Sequence, residues 1–229
     1  MSRRMPKLHP LMEEWHQASF PGFSEAQKAA LPHTLRGENT LILAPTGSGK
    51  TLAAFLSILS ALRYEAEAGG LPNTVRAVYI SPLKALGNDI RRNLAGPLEA
   101  INQGLSPLRR IRMEVRTGDT DLAGRSRLQR RRPHLLLTTV ETFSSILSQR
   151  GWRGAFETRT AVVDEVHALA ENKRGSLLAL ALERLEQQAG SPVQRIGLSA
   201  TAHPPEAIAG LRCGSRTYAL GRVDSGRER

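Results

Sequence analysis

Cysteine is all but missing from this chain of 229 residues: Cys213 is its one instance. An intramolecular disulfide and a cysteine-rich metal site are both excluded. Aromatic residues make up 4% of the sequence, too few to expect nucleobases stacked on aromatic platforms. No apolar run approaches the ~20 residues that cross a bilayer. The start, Met1-Ser2-Arg3-Arg4-Met5-Pro6, carries charge with no apolar stretch of signal-peptide length behind it. The expectation is a cytoplasmic protein with no membrane partner. Internal repeats and low-complexity linkers are absent too. Acidic charge is short: 32 Lys+Arg stand against 21 Asp+Glu, a formal net charge of +11. Such an excess suits a polyanion, most simply nucleic acid; the alternative is solvated surface charge. The length fits one full-sized domain or at most two small ones.

What is present centres on Ala44-Pro45-Thr46-Gly47-Ser48-Gly49-Lys50-Thr51. The apolar run Leu41-Ile42-Leu43 precedes it and a helical pattern from Leu52 follows. Strand, glycine-rich turn, Lys-Thr and helix form the layout of a phosphate-binding loop. Gly47 and Gly49 permit backbone angles that let successive N–H groups converge on phosphate, and the helix adds its positive dipole end. Lys50 would reach the β- and γ-phosphates, and the Thr51 hydroxyl would ligate Mg2+. One departure shows: the pattern wants Gly at position 44, where this chain has Ala.

Around that loop, strands and helices alternate. Helices are expected at 8–18, from Ser24 to about Arg36, to about Ala68, from Lys84 to Ile101 with a break near Gly96-Pro97, at 122–131, 142–148, 176–188 and 205–211. Strands are expected at 41–43, 75–80, 111–116, 135–138, 161–163, 193–198 and 218–220. Continuous apolar strands separated by helices argue for a mostly parallel sheet covered on both faces, a three-layer α/β/α architecture with ligands at the carboxyl ends of its strands.

A second signal is Ala161-Val162-Val163-Asp164-Glu165-Val166-His167, a buried strand ending in two carboxylates. Asp164 would hold Mg2+, usually through water, and Glu165 would orient or deprotonate the water that attacks the γ-phosphate. His167 either serves the reaction or caps the following helix. Ser24 with Gln27 three residues later is a capping box. The arginines at 109, 110, 112, 125, 127 and 130–132 form a basic cluster that either lines a nucleic-acid track or is a solvated face.

These residues carry a family resemblance. Ala44 to Thr51, Asp164-Glu165-Val166-His167 and Ser199-Ala200-Thr201 resemble motifs I, II and III of superfamily 2 DExH-box helicases, in which Ala commonly opens the phosphate loop. Finer similarity is to the Lhr-like branch, which includes ligase-associated DExH helicases. It rests on Phe20-Pro21-Gly22-Phe23-Ser24, Ser81-Pro82-Leu83-Lys84-Ala85-Leu86, Arg116-Thr117-Gly118-Asp119-Thr120, Asp164 to Leu169, Lys173-Arg174-Gly175 and Arg195 to Thr201. The likeness spans about Leu11 to Leu211. It implies a RecA-like P-loop fold, ATP and Mg2+ as cofactors, and an adenine-reading role for Gln27 beside its capping one; a single side chain cannot fill both at once. Thr46, Gly47, Ser48, Gly49, Lys50 and Thr51 would hold the phosphates. Pro82 and Lys84 match motif Ia, Thr117, Gly118 and Asp119 the next strand-contacting loop, and Thr139 motif Ib, with Val140 where Pro is usual. In the family these loops hold the sugar–phosphate backbone. Ser199 and Thr201 would couple nucleotide state to nucleic-acid grip, or merely cap after a strand.

The resemblance also implies a second RecA-like lobe, with ATP between the two. After Thr201 the chain has 28 residues (229 less 201), too few for one. Residues 1–23 are expected to form an N-terminal helix and adenine-side segment, 24–211 the first ATP-binding domain, and 212–229 a terminal strand and polar tail. The expected partners are single-stranded or partly duplex nucleic acid, DNA favoured and RNA possible, and the second lobe; alone, the chain should hydrolyse ATP weakly. Two other readings stay open: a nucleic-acid-binding module without turnover, and a P-loop ATPase acting on another cargo.

Overall fold

The computed structural model describes residues 7–82, 86–169, 173–200 and 217–222, with residues 86–89 and 222 described by their backbone alone. Its frame is a seven-stranded sheet in the order β3-β4-β2-β5-β6-β1-β7. The strands are β1 (Thr40–Leu43), β2 (Val75–Ser81), β3 (Met113–Arg116), β4 (Leu135–Thr139), β5 (Phe156–Val163), β6 (Gln194–Ser199) and β7 (Ala219–Arg222). Every pairing is parallel. Both faces are covered, which explains the unbroken apolar runs: β1, β2 and β4 are buried along their whole length.

Period-two alternation divides those runs between two cores. Leu41, Leu43, Val78, Ile80, Leu136, Ala161 and Val163 point to one face, where α7 (Val140–Ser148) and α8 (Lys173–Ala189) pack. Ile42, Ala77, Tyr79, Leu135, Leu137, Val162, Ile196 and Leu198 point to the other, under α1 (Pro10–Ser19), α2 (Glu25–Leu35), α3 (Lys50–Ala68), α4 (Leu86–Asn93) and α5 (Ala95–Ile101). α6 (Leu122–Arg130) buries only Leu128. Residues before Ser24 are therefore part of the same core: Leu8 and Met12 are buried with the residues of α3.

Helix ends follow local chemistry. Pro10 opens α1, Ser24 and Gln27 form the capping box of α2, Asp121 caps α6 and Thr139 caps α7. The long helix expected to break near Gly96-Pro97 divides earlier, at Leu94, which places Pro97 in the first turn of α5, where its missing N–H leaves no intrahelical bond unmade. β5 begins at Phe156, five residues before the strand read from the sequence. Its first half alternates, with Phe156 and Thr158 buried and Glu157 and Arg159 exposed, and a register shift against β2 accommodates it. Four residues mixing polar and apolar side chains carry no run to read. The helix expected at 205–211 lies outside the described residues. No described helix is long and apolar enough to cross a membrane.

Candidate functional site

The loop after β1 has the backbone its glycines promise. Gly47 and Gly49 both have φ +83°, a left-handed conformation that resists a side chain. At Gly49 the restriction is double, because a Cβ there would lie 3.0 Å from Gln27 Nε2 and Ser24 Oγ. Lys50 is 5% exposed, and its Nζ lies 3.5 Å from the Ala44 carbonyl and 3.6 Å from Glu165 Oε1. A buried ammonium with three protons is held only by long contacts. The Ser48 hydroxyl is buried with no hydrogen-bond partner among the described residues, while Thr46 is exposed and Thr51 half-buried. The first amides of α3 have no partner within the helix. Unpaired hydroxyl, loosely held cation and helix N-terminus converge as an anion cradle requires.

The segment expected on the adenine side is stitched to this loop. Ser24 Oγ donates to the Ser48 carbonyl at 2.7 Å. Gln27 Oε1 accepts from the Ser24 N–H at 3.0 Å and lies 3.0 Å from His16 Nε2, so the capping reading of Gln27 holds for its oxygen. Its amide nitrogen, on the Gly49 side, is left for another acceptor. His16 is buried and stacks on Phe23 at 4.1 Å.

Asp164 and Glu165 follow β5. Asp164 is 3% exposed; its Oδ1 accepts from the Glu165 N–H at 2.9 Å, and its Oδ2 accepts from the buried Tyr79 hydroxyl. Burial pushes the Asp164 carboxyl above the ordinary carboxylate value, and the Tyr79 hydroxyl opposes that rise. Burial and the neighbouring Asp164 raise the Tyr79 phenol in turn, so it stays a donor. Glu165 has φ +47°, the one described non-glycine residue with positive φ. Strain of order 1–3 kcal/mol at such a position is sustained only where its surroundings over-determine it. Here they do: Lys50 contacts one Glu165 oxygen, and His167 Nδ1 lies 3.4 Å from the other. The same nitrogen is 2.9 Å from Ser199 Oγ. His167 bridges the carboxylate after β5 to the hydroxyl ending β6. Thr201 lies outside the described residues.

Sheet order sets these groups side by side. Along the carboxyl edge the sequence of loops is Thr117 after β3, Thr139 ending β4, Pro82 after β2, Asp164 after β5, Ser199 ending β6 and the phosphate loop after β1. The three loops expected to hold nucleic acid occupy one half of the edge, and the ATP residues the other. Thr139 Oγ1 is engaged as the cap of α7, accepting from the Thr142 N–H at 3.4 Å. Val140 takes the first helical position, where Pro is favoured, so the turn survives the exchange. Thr117 N–H donates to Thr120 Oγ1, and Arg125 ties down the carbonyls of Gly118 and Thr120 at 2.8 and 2.7 Å; Asp119 is exposed. Lys84 lies outside the described residues.

Three residues with a part in the site had no assigned role in the sequence reading: His16, Tyr79 and Arg174. Arg174 donates to the Pro82 carbonyl at 2.8 Å and to Glu141 Oε1 at 2.6 Å, joining α8 to two of the loops expected to hold nucleic acid. A Tyr between apolar neighbours in a buried strand is a signal, since a buried phenol needs a partner. The arginine cluster divides: Arg125 serves the carboxyl edge, and Arg112 and Arg130–Arg132 lie at the amino ends of β3 and β4.

Fold and loop order define a RecA-like phosphate-loop lobe. The family model for DEAD/DEAH box helicases matches residues 24–208, and the chain belongs to that family. It is 50% identical over 206 residues to the ATP-dependent helicase Lhr-Core of Methanothermobacter thermautotrophicus, covering 88% of this chain and 24% of the relative. The structure of Mycobacterium smegmatis helicase Lhr bound to ssDNA and AMP-PNP matches with a TM-score of 0.84 and 41% identity, over 93% of this chain and 27% of that one. The DEAD-box helicase Mss116 shares the fold at TM-score 0.78 and 20% identity, over 93% of this chain and 42% of the other. The chain thus spans about a quarter of the length of the Lhr relatives it matches.

Proposed function

We propose that this chain is the ATP-binding lobe of an ATP-dependent nucleic-acid helicase of the Lhr type, acting on DNA in preference to RNA and joined to a second RecA-like lobe. The observation that carries the reading is the shared edge: triphosphate and backbone-holding loops stand next to one another, with His167 and Arg174 bridging neighbouring strands. The likeness to an Lhr helicase solved with ssDNA and AMP-PNP supports the same assignment.

Lys50, the loop amides and the Ser48 hydroxyl bind the β- and γ-phosphates. The residues present fit Mg2+: Asp164 uses one lone pair on each oxygen, leaving others for metal-bound water, and Thr51 supplies a hydroxyl. When bound, the ion neutralises charge on the phosphate oxygens. Glu165, fixed between Lys50 and His167, orients the attacking water and accepts its proton. Ser199, within reach of His167, passes the state of that carboxylate to the neighbouring strand. A second lobe would supply arginine to the opposite side of the phosphates, a contribution of ~10³–10⁵ in turnover.

The test is the ATPase rate with and without single-stranded DNA and RNA, in wild type, Lys50→Ala and Glu165→Gln. Lys50→Ala should lose nucleotide binding. Glu165→Gln should keep binding while turnover falls by about 10²–10⁴. Turnover unchanged in both variants overturns the site; turnover indifferent to nucleic acid favours another cargo.

A further inference from the structure

At the edge opposite the phosphate loop, where β3 and β4 begin, arginines gather without acids. Arg112 donates to the Arg132 carbonyl at 3.0 and 2.9 Å and to Asn73 Oδ1 at 3.1 Å. The Arg132 N–H meets the same Asn73 oxygen, and Asn73 Nδ2 donates to the Arg130 carbonyl. Arg132 Nη2 reaches the Gly151 carbonyl, and the Gln129 carboxamide lies 2.8 Å from where a Gly151 Cβ would stand, so the 3-10 turn Arg150–Trp152 is fixed against the end of α6. Arg127, Arg130, Arg131 and Arg150 project from this platform as exposed side chains.

None of Arg112, Arg127, Arg130, Arg131, Arg132 and Arg150 has a carboxylate within ion-pair distance among the described residues. Elsewhere in the fold Arg36, Arg76, Arg174 and Arg195 carry glutamate partners. Like charge is crowded enough here that Arg131, after burial, lowers the proton affinity of Arg112. Arg132 Nε is buried with no hydrogen-bond partner among the described residues. A cluster that folding leaves uncompensated gains from any anion that lies across it, and the negative end of the α6 dipole offsets only part of its charge.

We infer that this arginine platform is a second nucleic-acid-binding surface, one that grips the phosphodiester backbone independently of ATP and apart from the loops of the carboxyl edge. Guanidinia offer forked donors that match phosphate oxygens. The neighbouring Trp152 is buried and cannot stack on a base, so the surface holds backbone without reading sequence. The five residues of β4 separate the platform from the Thr139 loop by about 15 Å at ~3.3 Å per residue. That exceeds the ~8–10 Å screening length of physiological salt, so the platform binds its own stretch of strand. The inference rests on the chain acting on nucleic acid, but not on any role for the ATP site.

The test is fluorescence anisotropy of the 229-residue chain with a labelled 20-nucleotide single strand and a 20-base-pair duplex, between 50 and 200 mM salt. Arg130→Gln/Arg131→Gln/Arg150→Gln should weaken binding at least ~10-fold at the lower salt and reduce the salt slope by about 2–3. Lys28→Gln/Arg159→Gln/Arg184→Gln removes the same net charge elsewhere and should change affinity less than ~3-fold. Binding of a fluorescent ATP analogue should be equal in all three proteins. The form more tightly held, single strand or duplex, identifies the platform's substrate. Equal losses from the two triple variants, an unchanged salt slope, or competition by polyglutamate as strong as by nucleic acid would each overturn the inference. A salt-slope difference that persists while ATP turnover ignores nucleic acid separates its success from failure of the proposed function.

Discussion

A single donor opposes the effect of burial on the carboxylate that ends the run after β5. Asp164 is buried, and burial raises its pKa; the Tyr79 hydroxyl pulls the other way. A carboxyl whose folded pKa exceeds its unfolded one binds more protons when folded. Its contribution to stability is therefore a cost at neutral pH that is relieved as pH falls through the raised value. Tyr79→Phe removes the opposing donor, so the relief begins at a higher pH and stability at pH 7 drops by about 1–3 kcal/mol. The acid limb of the ATPase profile should shift upward in pH, as read from rate against pH for variant and wild type. An unmoved limb means that Tyr79 only fills space. Lys50, Asp164 and Glu165 were legible in the sequence because their spacing to flanking apolar strands is local. Tyr79 was not, since its meeting with Asp164 depends on β2 lying next to β5, which only the assembled sheet decides. The left-handed backbone of Glu165 was equally hidden, because nothing about a glutamate announces positive φ.

Elements carry the link between the two halves of the carboxyl edge. α8 begins nine residues after Asp164, and Arg174 in its first turn clasps the Pro82 carbonyl and Glu141 together. A shift of the carboxylate segment on nucleotide binding would reach both of the loops proposed to hold nucleic acid through this side chain. Arg174→Ala should leave affinity for a fluorescent ATP analogue unchanged while nucleic-acid stimulation of the ATPase falls by about tenfold, on the scale of a typical coupling energy. Stimulation at the wild-type level rules the link out. Strands of unbroken apolar residues were readable at this scale, and so was the capping box of α2. The early half of β5 was not, because the buried Thr158 hydroxyl finds its partner in the Val75 carbonyl, 83 residues away.

At the scale of the molecule, the net charge of +11 pointed to a polyanion but did not say where it lies. The fold divides the arginine cluster between two edges of one sheet, and neither composition nor spacing could have separated Arg125 from Arg131. Strand order was also beyond the sequence, although alternation of strand and helix sufficed for a parallel sheet between two helical layers. That order has a consequence for synthesis. β1, which presents the phosphate loop, pairs only with β6 and β7, whose residues lie more than 150 positions downstream. As the chain leaves the ribosome, β2, β3, β4 and β5 can join one another while β1 waits as an unpaired strand. The most local motif in the sequence is thus among the last parts to become a site, and long-range pairing of this kind is slow and exposed to misassembly. A chain ending at Gly190 keeps every residue of the phosphate loop and both carboxylates, yet lacks β6 and β7. It should bind no ATP analogue above the level of Lys50→Ala; binding at full-length affinity would mean that β1 needs no neighbour to shape its loop.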